Sequence, residues 1–284
     1  MKGFLKLFVV VLILGLVLPA SAENLKFKVN LNGGLALMSN SDFNDMIKSL
    51  ETMTTALMEL AYDTVDVTGE EVKMIPAANL ELSLQMSSFV AGLKIGMPGT
   101  VTSVFTADVS DSPVAQPDIY METDMKNWAF PFGLNLYYVL PLGEKMNLYV
   151  GPGFEYYMSK ITNEQTKMTV AGADQTLDEP EIFNGSGIAG VLNVKGEYAI
   201  NDMFSVYLGV IGRMGAISGY AGEGDLDGTT LYSYDFADEH HWDNLTPEEK
   251  DLYDADTTIT NLEEAKIDMT GIEFFFGISL NFDM

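Results

Sequence analysis

Cysteine is absent from the 284-residue chain. That excludes disulfides, thiolate metal sites and an N-terminal cysteine carrying a lipid anchor. Basic residues are scarce, 15 lysines and arginines against 41 aspartates and glutamates. A chain so acidic lacks the basic surface that nucleic acid requires as a partner. Long apolar runs are missing beyond the first residues, so a helical membrane protein is excluded once those residues are removed. No glycine-rich phosphate loop is present. The many glycines fall in stretches that read as strands, where they relieve crowding or allow bends.

What is there begins with export. Lys2 and Lys6 precede an apolar run from Leu7 to Leu18, followed by Pro19 and Ala20-Ser21-Ala22. A charged start, a short greasy stretch and small residues at the end describe a secretory signal peptide over 1–22, with the mature chain from 23 to 284. The run is too short for a permanent membrane helix. Two of the 15 basic residues lie in the signal peptide, leaving 13 against 41 acidic.

The mature chain alternates with a period of two, which marks strands with two different faces. Leu25, Phe27, Val29, Leu31 and Leu35 alternate with Lys26, Lys28, Asn30, Asn32 and Ala36. Further strands are read over Pro76 to Met86, Phe89 to Met97, Trp128 to Leu140, Met146 to Met158, Ile188 to Tyr198 and Phe204 to Met214. In the last, from Thr270 to Phe282, the apolar row holds Ile272, Phe274, Phe276, Ile278, Leu280 and Phe282. A two-residue turn at Ser87-Ser88 sets Met86 against Phe89, Leu84 against Ala91 and Glu81 against Lys94, so apolar meets apolar and opposite charges meet. Pro131 and Pro152 interrupt this pattern and are expected at bulges or rims, because each removes a ladder hydrogen bond.

The closing strand resembles that of the outer-membrane β-barrel family, the small OmpA/OmpX/OmpW-like and porin-like barrels, which alternates up to a terminal aromatic. Phe282 matches that aromatic, and Asp283 and Met284 follow it, a departure from the family pattern. The resemblance implies that Phe274, Phe276, Ile278, Leu280 and Phe282 form a membrane-insertion signal read by the barrel-assembly machinery. It also implies residence in the cell outer membrane of a diderm bacterium, against lipid and lipopolysaccharide. The expected fold is all-β, an eight-stranded antiparallel up-and-down transmembrane barrel with long extracellular loops. Eight is an even number, as closed bacterial barrels require, and the connections alternate short and long in the manner of such barrels. The long ones span roughly 39–73, 98–126, 159–185 and 215–266.

A soluble barrel also has one apolar face, so the polar row decides which face is outside. That row is mostly Gly, Asn, Ser and Tyr. Its few charges are Lys26, Lys28, Lys94, Lys195 and Arg213 against Glu81, Glu155, Glu197 and Glu273. A water-facing surface carries more charge, whereas a narrow interior needs small residues and matched charges. We therefore expect a side-chain-filled lumen with a charge network of Glu81, Lys94, Glu155, Lys195, Glu197, Arg213 and Glu273, including pairs Glu81–Lys94 and Arg213–Glu273.

In the first loop, Phe43, Met46, Ile47, Leu50, Met53, Leu57 and Leu60 repeat at helical spacing, predicting a helix over about 42–61. It is read as packing against the other long loops, with a lid or plug over the barrel mouth, or a docking surface for a partner, as the alternative. The fourth loop, about 215–266, is acidic. Within it Glu223, Asp225 and Asp227 resemble the first half of a calcium loop, but Tyr234 stands where the last ligand belongs. No cofactor is expected, and a solvated acidic turn is preferred to calcium. His240 and His241 lie beside Trp242 in the same loop, with no nucleophile, base and orienting group converging on them. The reading is an integral barrel without enzymatic activity, with an envelope-structural or surface-interaction role and an unknown extracellular partner. A small porin or channel for solutes or hydrophobic ligands is the alternative, and a hydrolase the third choice.

Overall fold

The computed structural model describes residues 25–38, 41–59, 61–72, 74–97, 99–113, 116–177, 179–224, 229–236 and 259–283. The expected signal peptide, Asp225, Asp227, Leu60, His240, His241 and Met284 lie outside them.

The pairings close on themselves. Strand β1 (Leu25–Met38) lies between β3 (Ile75–Met86) and β14 (Gly271–Asp283). Next to β14 comes β10 (Phe204–Gly222), then β9 (Glu181–Ala199), β7 (Met146–Val170), β6 (Ile119–Pro141) and β4 (Phe89–Gly96), which pairs back onto β3. Every pairing is antiparallel. Closure satisfies the edge groups that an open sheet would expose.

The sheet holds twelve strands rather than eight. The additions are β2 (Thr64–Gly69), β5 (Gly99–Ser110), β8 (Ala173–Asp174) and β13 (Ile267–Asp268). Strand β5 continues along the same edge of β6 as β4 and carries β2 on its far side. A separate two-stranded sheet joins β11 (Tyr232–Phe236) to β12 (Ile259–Glu264).

Three connections are short: Ser87-Ser88, residues 142–145 and residues 200–203. Ser87 takes a φ of 54°, the left-handed backbone that so tight a hairpin demands. At the third, the Asn201 carboxamide oxygen accepts from the backbone N–H of Met203 at 2.9 Å and of Phe204 at 2.8 Å, an Asx turn.

At the opposite end, stretches read as loops are largely strand. Strand β6 has 23 residues and β7 has 25. At about 3.3 Å per residue β7 runs roughly 80 Å along its length, where a membrane crossing takes about 9–11 residues. The surplus forms a β-rich extension.

Neither proline makes a bulge. Pairing of β4 with β6 ends at Ile95 and Phe132, so Pro131 sits where β4 gives way to β5. The β6–β7 ladder keeps its register past Pro152 while skipping the pairs between Asn135–Gly153 and Tyr138–Val150. Each proline thus stands where no ladder bond is drawn from its nitrogen on that side.

Helix α1 (Ser41–Glu59) lies against β2, β5, β11 and β13. Phe43 and Ile47, 2% and 3% exposed, join one apolar cluster with Met125 of β6, Tyr157 and Ile161 of β7, Phe183 of β9, and Ile217 and Tyr220 of β10. Most of these partners, Met125, Ile161, Phe183, Ile217 and Tyr220, lie in the stretches read as the other long loops, here folded as strand. Asn44 fixes the returning chain, donating to the Val72 carbonyl at 3.1 Å and accepting from its N–H at 2.9 Å.

Candidate functional site

Successive side chains of a strand point to opposite faces, and here the two faces are sorted inside out. Leu208, Met214 and Phe276 are 72%, 74% and 70% exposed. Phe274, Ile278 and Phe282 share the outer face with them, and Leu280 is half-buried on that face. Inside, Lys28, Glu81, Lys94, Glu155, Lys195, Glu197, Arg213 and Glu273 are all buried. Lys26 has the same parity as Lys28, yet it pairs with Asp283 at the strand end and is exposed. The buried charges therefore balance at four against four rather than five against four.

Three levels of contact fill the interior, counted from the short-turn end. At the first, the Lys28 ammonium donates to Glu197 at 2.8 Å and to the Tyr149 hydroxyl at 2.6 Å, and Tyr149 donates to Glu197 at 3.0 Å. At the second, Glu81 accepts from Asn30 at 3.1 Å, Asn135 at 2.6 Å and the Tyr137 hydroxyl at 2.8 Å. Lys195 lies 3.7 Å from Glu81 and 4.8–5.1 Å from the ring centres of Tyr137, Tyr149 and Tyr207. A cation over aromatic faces is held by the ring quadrupoles, more strongly where water is excluded. Tyr207 also donates to Asn32.

At the third level Glu155 is the hub. It accepts from Lys94 at 2.8 Å, from Arg213 Nε at 2.8 Å and from the Tyr157 hydroxyl. Arg213 reaches Glu273 with its Nη2 at 2.7 Å. Above it Ser159 contacts Asn127 and Tyr220 at 2.8 and 2.9 Å, leading to the apolar cluster under α1.

The register sets Glu81 opposite Lys94, but their ion pairs go elsewhere, Glu81 to Lys195 and Lys94 to Glu155. Glycines make room for these groups: a Cβ on Gly92 would meet Glu81 Cδ at 2.9 Å, and one on Gly133 would meet Glu155 Cγ at 3.2 Å. The tyrosines and Asn30, Asn135 and Asn193 were absent from the predicted network. Their signal was available, since they share the row of the charged residues.

One cavity of about 10 Å³ touches Glu81, Lys94 and Lys195. Another of about 60 Å³ lies beside Arg213, Glu273 and Asn127, near the junction of β4 and β5. Burying a charge without a partner is costly, and here each carboxylate is bonded to or lies against a cation. Among the described residues no group of three or more metal-ligating side chains is assembled. Glu223 is exposed, and its backbone N–H donates to the Ile182 carbonyl at 2.9 Å.

The extension beyond the wall has different chemistry. Lys126 binds Glu164 at 2.7 Å and Asp124 at 3.3 Å. The hydrogen bond to Glu164, then that to Asp124, holds its ammonium above the usual lysine range. Burial pushes the Tyr220 phenol up.

No protein-family model and no curated protein matches the chain. Among solved structures it is similar to the outer membrane protein OprG from Pseudomonas aeruginosa, with 12% identity over 90% of this chain and 95% of that one and a TM-score of 0.40. It is also similar to the outer membrane protease OmpT from Escherichia coli, with 9% identity over 93% of this chain and 98% of that one and a TM-score of 0.39.

Proposed function

We propose that the chain is an integral outer-membrane barrel of eight spanning strands, β1, β3, β4, β6, β7, β9, β10 and β14, that is sealed and without enzymatic activity. Its apolar face contacts lipid and the acyl part of lipopolysaccharide, and the assembly machinery inserts it through β14. Its task is to hold the acidic β-rich extension and α1 above the membrane, as envelope structure and as a surface for an extracellular partner.

The observation supporting this reading is the inverted sorting of the wall. Exposing a side chain such as Leu208 or Phe276 to water forfeits about 1.5–3 kcal/mol apiece. The outer face repeats that exposure at Leu31, Leu136, Leu192, Met214 and Ile272. Hydrocarbon removes the penalty. The sealed state is supported by the bonded charges: a barrel of about eight strands has an interior just wide enough for side chains to fill.

Planar-bilayer recording of the purified, folded protein tests the seal. The expected record is a flat baseline, and stable discrete openings would establish the channel reading instead. Fractionation tests the location: recovery in detergent-extracted outer membrane with heat-modifiable migration is expected, and recovery as freely dissolved protein would overturn it.

A further inference from the structure

The extension contains a cavity that the sealed barrel does not use. It measures about 420 Å³, some sevenfold the larger lumen void, and lies between α1 and the inner faces of β5, β6, β7 and the start of β9. That volume falls in the range of about 300–1,000 Å³ typical of small-molecule sites.

Its walls differ in kind. Leu50 of α1, Phe105 of β5 and Met121 of β6 belong to a single apolar cluster and supply the greasy side. Asn163 of β7 and Glu181 of β9 face one another in register, with Asn163 donating to Glu181 at 3.0 Å. Gln165 and Glu179 extend that polar side. Both carboxylates are exposed and mark its solvent-facing side. Two acids and several neutral acceptors line the space, and among the described residues no lysine, arginine or histidine does. The molecule around it carries a formal charge of −26, a field that concentrates cations at its surface.

We infer that this cavity is a binding site for a small organic ammonium compound, its apolar body against Phe105 and Met121 and its charged nitrogen donating to Glu181. An anion would face Glu179 and Glu181 without a counter-charge. A neutral apolar molecule would leave the carboxylates and carboxamides of the polar wall unanswered.

The test is calorimetric titration of the full chain, folded in detergent, with phenethylammonium, and with 2-phenylethanol as its neutral counterpart. Saturable binding of the ammonium is expected, at least about tenfold tighter than the alcohol, since a hydrogen bond to a charged group contributes about 1.5–3 kcal/mol. Glu181→Gln should erase that preference while leaving weak binding of both. Met121→Trp, which fills the apolar side, should abolish both. If that variant fails to show folded gel migration, Thr54→Trp fills the same space from the helix. The assignment is overturned by no saturable heat with the ammonium, by equal affinity for the alcohol, or by binding unchanged in a folded filling variant. None of these outcomes depends on whether the barrel conducts.

Discussion

Lys94 of β4 and Glu155 of β7 form a 2.8 Å ion pair between strands that are not neighbours, since β6 runs between them. The pair ties across the curvature of the wall, and with Arg213 it makes Glu155 the meeting point of three strands. Glu155 is fully buried. Neutralising it strands the Lys94 ammonium in a low-dielectric interior and leaves Arg213 with Glu273 alone. Breaking a buried pair this way costs about 3–5 kcal/mol. Glu155→Gln should lower the urea midpoint of barrel unfolding, followed by gel migration. The double variant Glu155→Gln with Lys94→Met should recover part of the loss, because it removes the stranded charge.

On the opposite face, Phe276 stands in register with Leu208 at mid-strand, and both are exposed. If hydrocarbon covers them, Phe276→Arg costs about 2–4 kcal/mol, the penalty for a cation near the bilayer midplane of a barrel. The corresponding charge at Thr166, an exposed position of β7 in the extension, should cost less than about 1 kcal/mol, the usual scale for surface substitutions. Equal tolerance at both positions, measured by unfolding in lipid vesicles, would contradict a lipid-facing wall.

Much of this wall was readable from the chain, and the reasons are specific. The two-residue turn at Ser87-Ser88 leaves one register open, and the pairs Glu81–Lys94, Leu84–Ala91 and Met86–Phe89 are those it dictates. Which acid an ammonium then chooses is set by how the sheet curves, which brings Glu155 to Lys94 and Lys195 to Glu81. Local periodicity carries no trace of that. The extension was invisible for a related reason. In β7 beyond Ser159 the outer positions Lys160, Thr162 and Glu164 and the inner positions Asn163 and Gln165 are all polar. With no oily medium outside, the rhythm of two fades and a strand reads as a loop.

The helix offers a third measurement. Phe43 and Ile47 lose their entire apolar surroundings if α1 leaves its seat. Phe43→Ala and Ile47→Ala should each weaken docking by about 2–5 kcal/mol. Limited proteolysis should then cut within 41–59 faster, while folded gel migration, which reports the wall below, stays unchanged.

A fourth concerns the place where β4 gives way to β5. A Cβ on Gly96 would come within 2.2 Å of the Pro131 ring carbon Cγ. Gly96→Ala should destabilise by about 1–3 kcal/mol, the scale of overpacking. Pro131→Ala, by shortening the obstructing side chain, should relieve most of that loss in the double variant. An additive double variant would show that the two residues do not meet.

The stopper of this vessel is made before the vessel. Helix α1 comes second in the chain, yet its seat is built from Met125, Tyr157, Ile161, Phe183, Ile217 and Tyr220, which follow it by up to some 180 positions. Contacts so remote in sequence are reached late, after the entropy of closing the intervening loops has been met. Beyond what β2 and Val72 cover from nearby in the chain, the oily side of this amphipathic segment therefore finds its partners only as the staves assemble.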